Sequence, residues 1–187
     1  MVNQHPVARA AADARITAAM EDYLKAIYRL GQDGQAVTTQ RLAEALALSG
    51  ASVTNMVKRL NDLNLLVHNP YRGVTLTEAG QRVALEVIRH HRLLELYLAE
   101  ALGFDIDKVH QEADRLEHHV SEELESRMEQ ALGYPEFDPH GDPIPQRNGT
   151  LPAISDIALR ELAPFTPGIV SRVSDRNADH LRFLDAL

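Results

Sequence analysis

A mainly helical chain with a small hairpin near its N-terminal end is the fold that three observations predict. Apolar residues recur at helical spacing over most of the 187 residues. Two short amphipathic stretches, joined by a glycine-bearing turn, precede two short β-rich runs separated by a Pro- and Gly-containing turn. Two long helical patterns follow and stop at Gly103 and Gly133, glycine being a common helix terminator.

Taken in order, residues 1–10 lack strong periodicity and read as an arm. From Thr17 onward, Met20, Leu24, Ile27, Tyr28 and Leu30 recur at helical spacing, and Gly31 with Gly34 closes that helix. Residues 39–47 form a short helix with Leu42, Ala43 and Leu46 on one side. Ser49-Gly50 supplies the turn, and residues 51–63 carry Val53, Met56, Val57 and Leu60 inward. Two such helices read as helix-turn-helix. Residues 65–68 and 74–77 are strand candidates, with Asn69-Pro70-Tyr71-Arg72-Gly73 as the turn. Helix-turn-helix plus hairpin makes a winged helix, assigned to residues 1–76.

Thr77 caps a helix that runs to about Leu102, with Gly80 tolerated near its start, and a further helix covers residues 106–132. They carry Val83, Leu85, Val87, Ile88, Leu93, Leu94, Leu96, Leu98, Val109, Leu116, Val120, Leu124 and Met128. That is more apolar surface than a small winged helix buries, which implies a homodimer interface. Residues 134–149 contain Pro135, Pro139, Pro143 and Pro145 and read as a linker. Beyond it lie a strand-like run at 168–173 and a helix at 177–187.

Charge is uneven. Residues 1–75 hold eight Lys/Arg against six Asp/Glu, whereas the remainder holds eleven against twenty-one. The excess base at the winged helix is compatible with nucleic acid despite a formal net charge of −8. No cysteine is present, which excludes disulfides, iron–sulfur clusters, thiolate zinc sites and a cysteine nucleophile, and fits a cytoplasmic setting. No apolar run approaches the roughly 20 residues that span a bilayer, and no basic-then-apolar leader opens the chain, so no membrane partner is expected. The H-E-x-x-H, G-x-S-x-G, P-loop and Gly-rich dinucleotide patterns are all missing, so an enzyme is not expected.

The acidic half holds the chemistry. His110, Asp114, Glu117 and His118 sit at i, i+4, i+7 and i+8, on one face of the expected 106–132 helix. His91 and Glu95 are a further i, i+4 pair on the preceding helix. Six imidazole and carboxylate donors on two neighbouring helices are a recurrent way to build a metal site. His90 and His119 point about 100° away from their neighbours on the helix and are left out of the donor set. Glu122, Glu123, Glu125 and Glu129 read as a solvated face. Without sulfur the donors lean towards harder ions, Mn²⁺ over Fe²⁺, while Co²⁺, Ni²⁺ or Zn²⁺ can bind in vitro. A metal-dependent hydrolase with a vestigial winged helix is the alternative, and it leaves the winged helix unexplained.

These residues resemble the metal-dependent repressors typified by the diphtheria toxin repressor and the manganese transport regulator. The likeness covers about residues 17–146 and is carried by Met20-Glu21-Asp22-Tyr23-Leu24, Ser49 to Arg59, His91-Arg92-Leu93-Leu94-Glu95, His110 to His119 and Gly141-Asp142-Pro143-Ile144-Pro145. It implies a DNA-binding transcriptional repressor that senses Mn²⁺ or Fe²⁺, controls metal-homeostasis genes and acts as a homodimer. It implies one site of Asp22, Asp114, Glu117 and His118 and an ancillary site of His91, Glu95 and His110. Lys25 stands where manganese-type relatives carry a glutamate, so two separated sites are expected rather than a tight metal pair. The resemblance divides the chain into a winged helix (1–76), a helical metal-binding and dimerisation domain (77–146), and a linker with a truncated SH3-like segment (147–187). Within that segment Asp175, Asp179 and His180 are candidates for completing the ancillary site.

DNA contact then falls to the second helix of the motif. Ser49, Ser52, Thr54, Lys58 and Arg59 suit phosphates, with Thr39 and Gln40 in support. Ala51, Ser52 and Asn55 face base edges, and Arg72 in the wing reaches a neighbouring phosphate on double-stranded operator DNA. Few strong base-reading side chains are present, so DNA shape carries part of the specificity.

Overall fold

Met20, Tyr23, Leu24 and Ile27, spaced i, i+3, i+4 and i+7, form the buried face of the first helix, α1 (Ala18–Gly31). The computed structural model describes residues 16–70, 72–174 and 178–185, and these divide after Leu85 into two compact units.

In the first unit α1 is followed by α2 (Thr39–Leu46), α3 (Gly50–Asp62), the strands β1 (Leu66–Asn69) and β2 (Gly73–Leu76), and the opening turns of α4 (Glu78–Leu102). The strands pair antiparallel, Leu66 opposite Leu76 and Asn69 opposite Gly73, and Val37 adds a single bridge to Val74. Met20, Leu24, Leu42, Val53, Leu60 and Leu66 are buried in one core that ties the helices to the hairpin. This is the expected winged helix-turn-helix.

The turn between α2 and α3 is built differently from the expectation. Ala47, not a glycine, adopts the left-handed conformation at φ 53°, and Gly50 is already helical. That conformation costs a non-glycine residue about 1 kcal/mol, and it is offset by the caps on either side. Thr38 Oγ1 accepts from Arg41 N at 3.1 Å and Ser49 Oγ accepts from Ser52 N at 3.2 Å. Gly80 is more than tolerated. A Cβ there would lie 1.8 Å from the Leu65 carbonyl oxygen, so α4 packs against the hairpin at a distance only glycine permits.

The second unit holds the rest of α4, then α5 (Val109–Leu116), a 3₁₀ turn (Glu117–His119), α6 (Glu122–Ala131), a long loop, a 3₁₀ turn (Leu159–Glu161) and α7 (Ala178–Asp185). The single helix expected over 106–132 is therefore two. Val120 turns extended (ψ 118°), and Ser121 starts α6 by accepting from Leu124 N at 3.2 Å, with Glu122 and Glu123 in the favourable first turn. Residues 134–149 are not a linker: Pro143, Ile144 and Pro145 are buried, and Ile144 packs with Leu93, Leu94, Leu96, Ala113 and Met128.

Much of the apolar surface credited to a dimer interface is buried within the chain. Leu93, Leu94, Leu96, Leu98, Val109 and Met128 are covered, whereas Leu116 and Leu124 stay exposed. Among the described residues no strand follows β2, so neither the run at 168–173 nor the start of an SH3-like sheet is realised. Val173 instead donates its N–H to the His140 carbonyl at 2.9 Å. Residues 1–10, Tyr71, Asp175, Asn177 and residues 186–187 of the expected elements lie outside the described residues, as does the side chain of His180. Among the described residues no helix is long and apolar enough to cross a membrane.

Candidate metal centre

The donor cluster of the second unit is assembled on α4. One turn of that helix separates His91 from Glu95, so both reach the same side, and both are buried. His91 Nε2 lies 2.9 Å from Glu95 Oε1 and 3.0 Å from His110 Nδ1, and His110 Nδ1 is itself 3.0 Å from Glu95 Oε1. Three donor atoms so mutually spaced match adjacent ligands of an octahedral cation with bonds of about 2.1 Å. The two imidazoles meet edge to face, with centroids 4.8 Å apart.

The far side of His91 turns to the 3₁₀ segment. Its Nδ1 is 2.6 Å from Glu117 Oε2 and 3.3 Å from Asp114 Oδ1, while His110 Nε2 is 3.6 Å from Asp114 Oδ2 and His118 Nε2 is 3.5 Å from Glu117 Oε1. His91, His110 and Asp114 offer ligand atoms within 4.8 Å of one another. Glu117 and His118 sit not on the α5 helix but on the turn that ends it, which swings Glu117 inward until it is buried. Asp114, which the resemblance assigns with Glu117 and His118, lies with His91 and His110, and His91 Nδ1 is within reach of both Asp114 and Glu117. Asp22 is half-buried on α1, in the first unit, with Lys25 one turn later.

Sequence reasoning missed two members. Asp138 and His140 lie on the proline-rich loop, are both buried, and with Glu95 form a second group whose ligand atoms lie within 4.8 Å of one another. Glu95 faces both groups, for its Oε2 is 3.8 Å from His140 Nδ1. Asp138 Oδ1 accepts from the backbone N–H groups of His140 (2.8 Å) and Asp142 (2.9 Å), which folds the loop around the carboxylate. Gly141 sits at φ 86°, where a Cβ would meet the Ser171 carbonyl at 2.0 Å. The available signal was Asp138-Pro139-His140-Gly141, an Asp-x-His pair locked between prolines.

Electrostatics supports a cation at both groups. Burial raises the Asp138 carboxyl from its ordinary value to about 7, and the charge of nearby Glu95 adds to the rise. Burial opposes ionisation of Glu95 too, yet the hydrogen bonds of His110 and His91 and the charge of His91 and His140 outweigh it and hold its carboxyl well below the usual range. Both ring nitrogens of His140 are buried with no hydrogen-bond partner among the described residues, a costly state for a polar group and one that a metal bond relieves.

The remaining acidic residues depart from expectation at two positions. Glu125 is buried, and Glu129 is partly so, both paired to Arg89; they are not a solvated face. Asp179 is exposed and paired with Arg182, whose other partner is Asp107 at 2.6 Å.

In the first unit, Ala51, Ser52, Asn55, Lys58 and Arg59 share the exposed face of α3. Gln40 and Arg72 are exposed and Thr39 is half-buried. Two hydroxyls are partly committed to local structure: Ser49 Oγ caps α3, and Thr54 Oγ1 donates to the Gly50 carbonyl at 2.8 Å.

Residues 15–74 match the family described as the iron dependent repressor, N-terminal DNA binding domain, and residues 77–146 match its metal binding and dimerisation domain. A solved manganese-dependent transcriptional repressor in complex with manganese is 38% identical and superposes with a TM-score of 0.80, over 89% of this chain and 77% of that one. The chain belongs to the iron-dependent repressor family. Other members of this repressor family are similar to it. The repressor ScaR with bound Zn²⁺ is 36% identical with a TM-score of 0.74, over 89% of this chain and 78% of that one. The diphtheria toxin repressor of Corynebacterium glutamicum and the iron-dependent repressor IdeR of Mycobacterium tuberculosis are each 40% identical over 125 residues, 67% of this chain. The chain spans about half the length of these curated relatives, 55% and 54% respectively.

Proposed function

We propose that this chain is a metal-dependent DNA-binding repressor, responsive to Mn²⁺ or Fe²⁺, that controls metal-homeostasis genes as a cytoplasmic homodimer. The observation that carries the reading is the buried run of imidazole and carboxylate donors around His91 and Glu95, in a chain whose other unit is a winged helix. The donor set contains no sulfur, which favours Mn²⁺ over softer ions.

His91, Glu95, His110 and Asp114 hold one cation, and Glu95, Asp138 and His140 offer a further position. Glu117 and His118 hold a cation together with Asp22, which the family resemblance brings to the same ion. A bound divalent ion supplies positive charge that offsets the clustered carboxylates. Asp22 is carried on α1, in the unit that reads DNA, whereas Glu117 and His118 belong to the metal-binding and dimerisation segment. Shared ligation restrains the reading heads and selects one spacing of the paired α3 helices, matching operator half-sites about one helical turn apart or a multiple of it. In the absence of metal the carboxylates repel one another and the restraint is lost.

On DNA, Lys58, Arg59 and Arg72 neutralise phosphates, with Ser49, Ser52, Thr54, Thr39 and Gln40 in support. Ala51, Ser52 and Asn55 face the base edges. Gel shifts on promoter DNA across a Mn²⁺ titration test the proposal. Asp22→Ala and His118→Ala are expected to lower metal-stimulated binding while leaving the dimer intact, and an unchanged response in both variants contradicts the ligand assignment.

A further inference from the structure

A buried charge network behind the donor cluster takes no direct part in it. Glu125, on α6, is buried with Arg89 and His90 of α4. Arg89 Nε donates to Glu125 Oε1 at 2.6 Å, and His90 Nε2 lies 3.4 Å from Glu125 Oε2. Each partner then reaches a backbone carbonyl of a different segment.

His90 Nδ1 donates to the Glu117 carbonyl at 3.2 Å. Glu117 opens the 3₁₀ turn at the end of α5, where carbonyls run out of helical partners. Arg89 Nη1 donates to the Pro145 carbonyl at 2.7 Å. The loop that carries Asp138 and His140 has prolines at 135, 139, 143 and 145, four positions with no N–H to give, and its own N–H groups pair locally, as in Ile144 N to the Glu136 carbonyl. Side-chain guanidinium groups add to that pairing, Arg92 donating to the Pro143 carbonyl one turn beyond Arg89.

Resting on the metal reading given above, we propose that Glu125 is a positioning residue for both donor groups, holding the Glu117 turn through His90 and the Asp138–His140 loop through Arg89. One carboxylate therefore sets the backbone on which Glu117 and His118 stand and the backbone on which Asp138 and His140 stand. Losing it frees both segments at once.

The test uses full-length protein and Mn²⁺ alone, with binding followed by calorimetry and by the Mn²⁺ electron paramagnetic resonance signal. His118→Ala and His140→Ala assign the binding steps. Glu125→Ala is expected to weaken the steps that depend on His118 and on His140 by about tenfold or more, the usual cost of removing a partner behind the ligands. In the metal-free protein the same change is expected to speed amide exchange at residues 117–120 and 138–146 together. Arg147→Ala is the control. Arg147 is half-exposed and 3.5 Å from both Glu125 and Glu129, but it supports neither carbonyl; its loss is expected to leave Mn²⁺ affinity unchanged. Glu125→Gln keeps an oxygen acceptor for Arg89 but removes the negative charge that faces Arg89, so it is expected to fall between wild type and Glu125→Ala. It also carries the test if the alanine variant does not fold.

Wild-type affinity at either step in folded Glu125→Gln and Glu125→Ala, or an equal loss in Arg147→Ala, overturns the proposal. A wild-type chain that takes up no Mn²⁺ overturns the metal reading beneath it. Exchange rates in metal-free protein separate that failure from a failure of Glu125 to hold the two segments.

Discussion

His140 Nδ1 stands 3.8 Å from Glu95 Oε2, inside a loop so closed that the residue is only 2% exposed. With neither ring nitrogen bonded among the described residues, the metal-free protein carries a polar ring it cannot satisfy. His140→Leu removes that ring at similar volume. Relieving a buried unsatisfied group is worth on the order of 1–3 kcal/mol, so the metal-free variant is expected to melt higher than the wild type. The same variant is expected to lose part of the thermal stabilisation that Mn²⁺ confers. Paired melting curves with Mn²⁺ and with chelator read both effects, and a variant that melts lower without metal but gains fully from Mn²⁺ contradicts the assignment.

Glu125 sets a pH dependence on the acid side. Burial opposes ionisation of its carboxyl, but hydrogen bonds from His90 and Arg89 and the charges of Arg89 and Arg147 bring it down from 4.5 to about 2. A carboxyl depressed in the folded state stabilises fully above its unfolded value and loses that contribution as pH falls through its folded one. The expected loss falls between about pH 4.5 and 2 and is on the order of 2 kcal/mol after allowance for solvent screening. Denaturant unfolding across that range should show a shallower acid limb in Glu125→Gln than in the wild type.

Gly80→Ala is expected to destabilise the winged helix. A Cβ at this position overlaps the Leu65 carbonyl, and backbone on backbone cannot yield as a side chain does. Overpacking of this kind costs typically about 1–3 kcal/mol, and chemical denaturation measures it. A change near zero means that α4 and the hairpin can separate freely.

Lys58 and Arg59 are exposed on α3 and are assigned to phosphates. Replacing either by alanine is expected to weaken binding to specific and unrelated DNA alike. The slope of log affinity against log salt should fall by roughly 1 for each lost phosphate contact. Fluorescence anisotropy at several salt concentrations reads the slope, and an unchanged slope removes that residue from the interface.

The sequence was most informative where periodicity was strong and local signals agreed. Met20 to Ile27, Leu42, Val53 to Leu60 and the Gly73 hairpin lie where spacing and turn chemistry put them. The break after Leu116 is hidden by apolar periodicity that runs through it, although Val120-Ser121-Glu122-Glu123 carries a helix-start signal. His91, Glu95, His110, Asp114, Glu117 and His118 could be gathered from helical spacing and motif, since each lies on or beside a helix. Asp138 and His140 could not, because proline content signals irregular backbone and says nothing of whether that backbone is buried. Glu125 departs from the expected solvated face for a related reason. Helical spacing places it among Glu122, Glu123 and Glu129, and only contacts with Arg89 and His90, 36 and 35 positions before Glu125, show that it and Glu129 turn inward.

Operator affinity of the wild-type chain, measured with saturating Mn²⁺ and again after chelation at fixed salt, tests directly whether metal governs DNA binding. Tight, sequence-selective binding is expected with the ion, and loss of that selectivity without it. Equal affinity in both conditions, with the dimer intact, contradicts a metal-governed reading head.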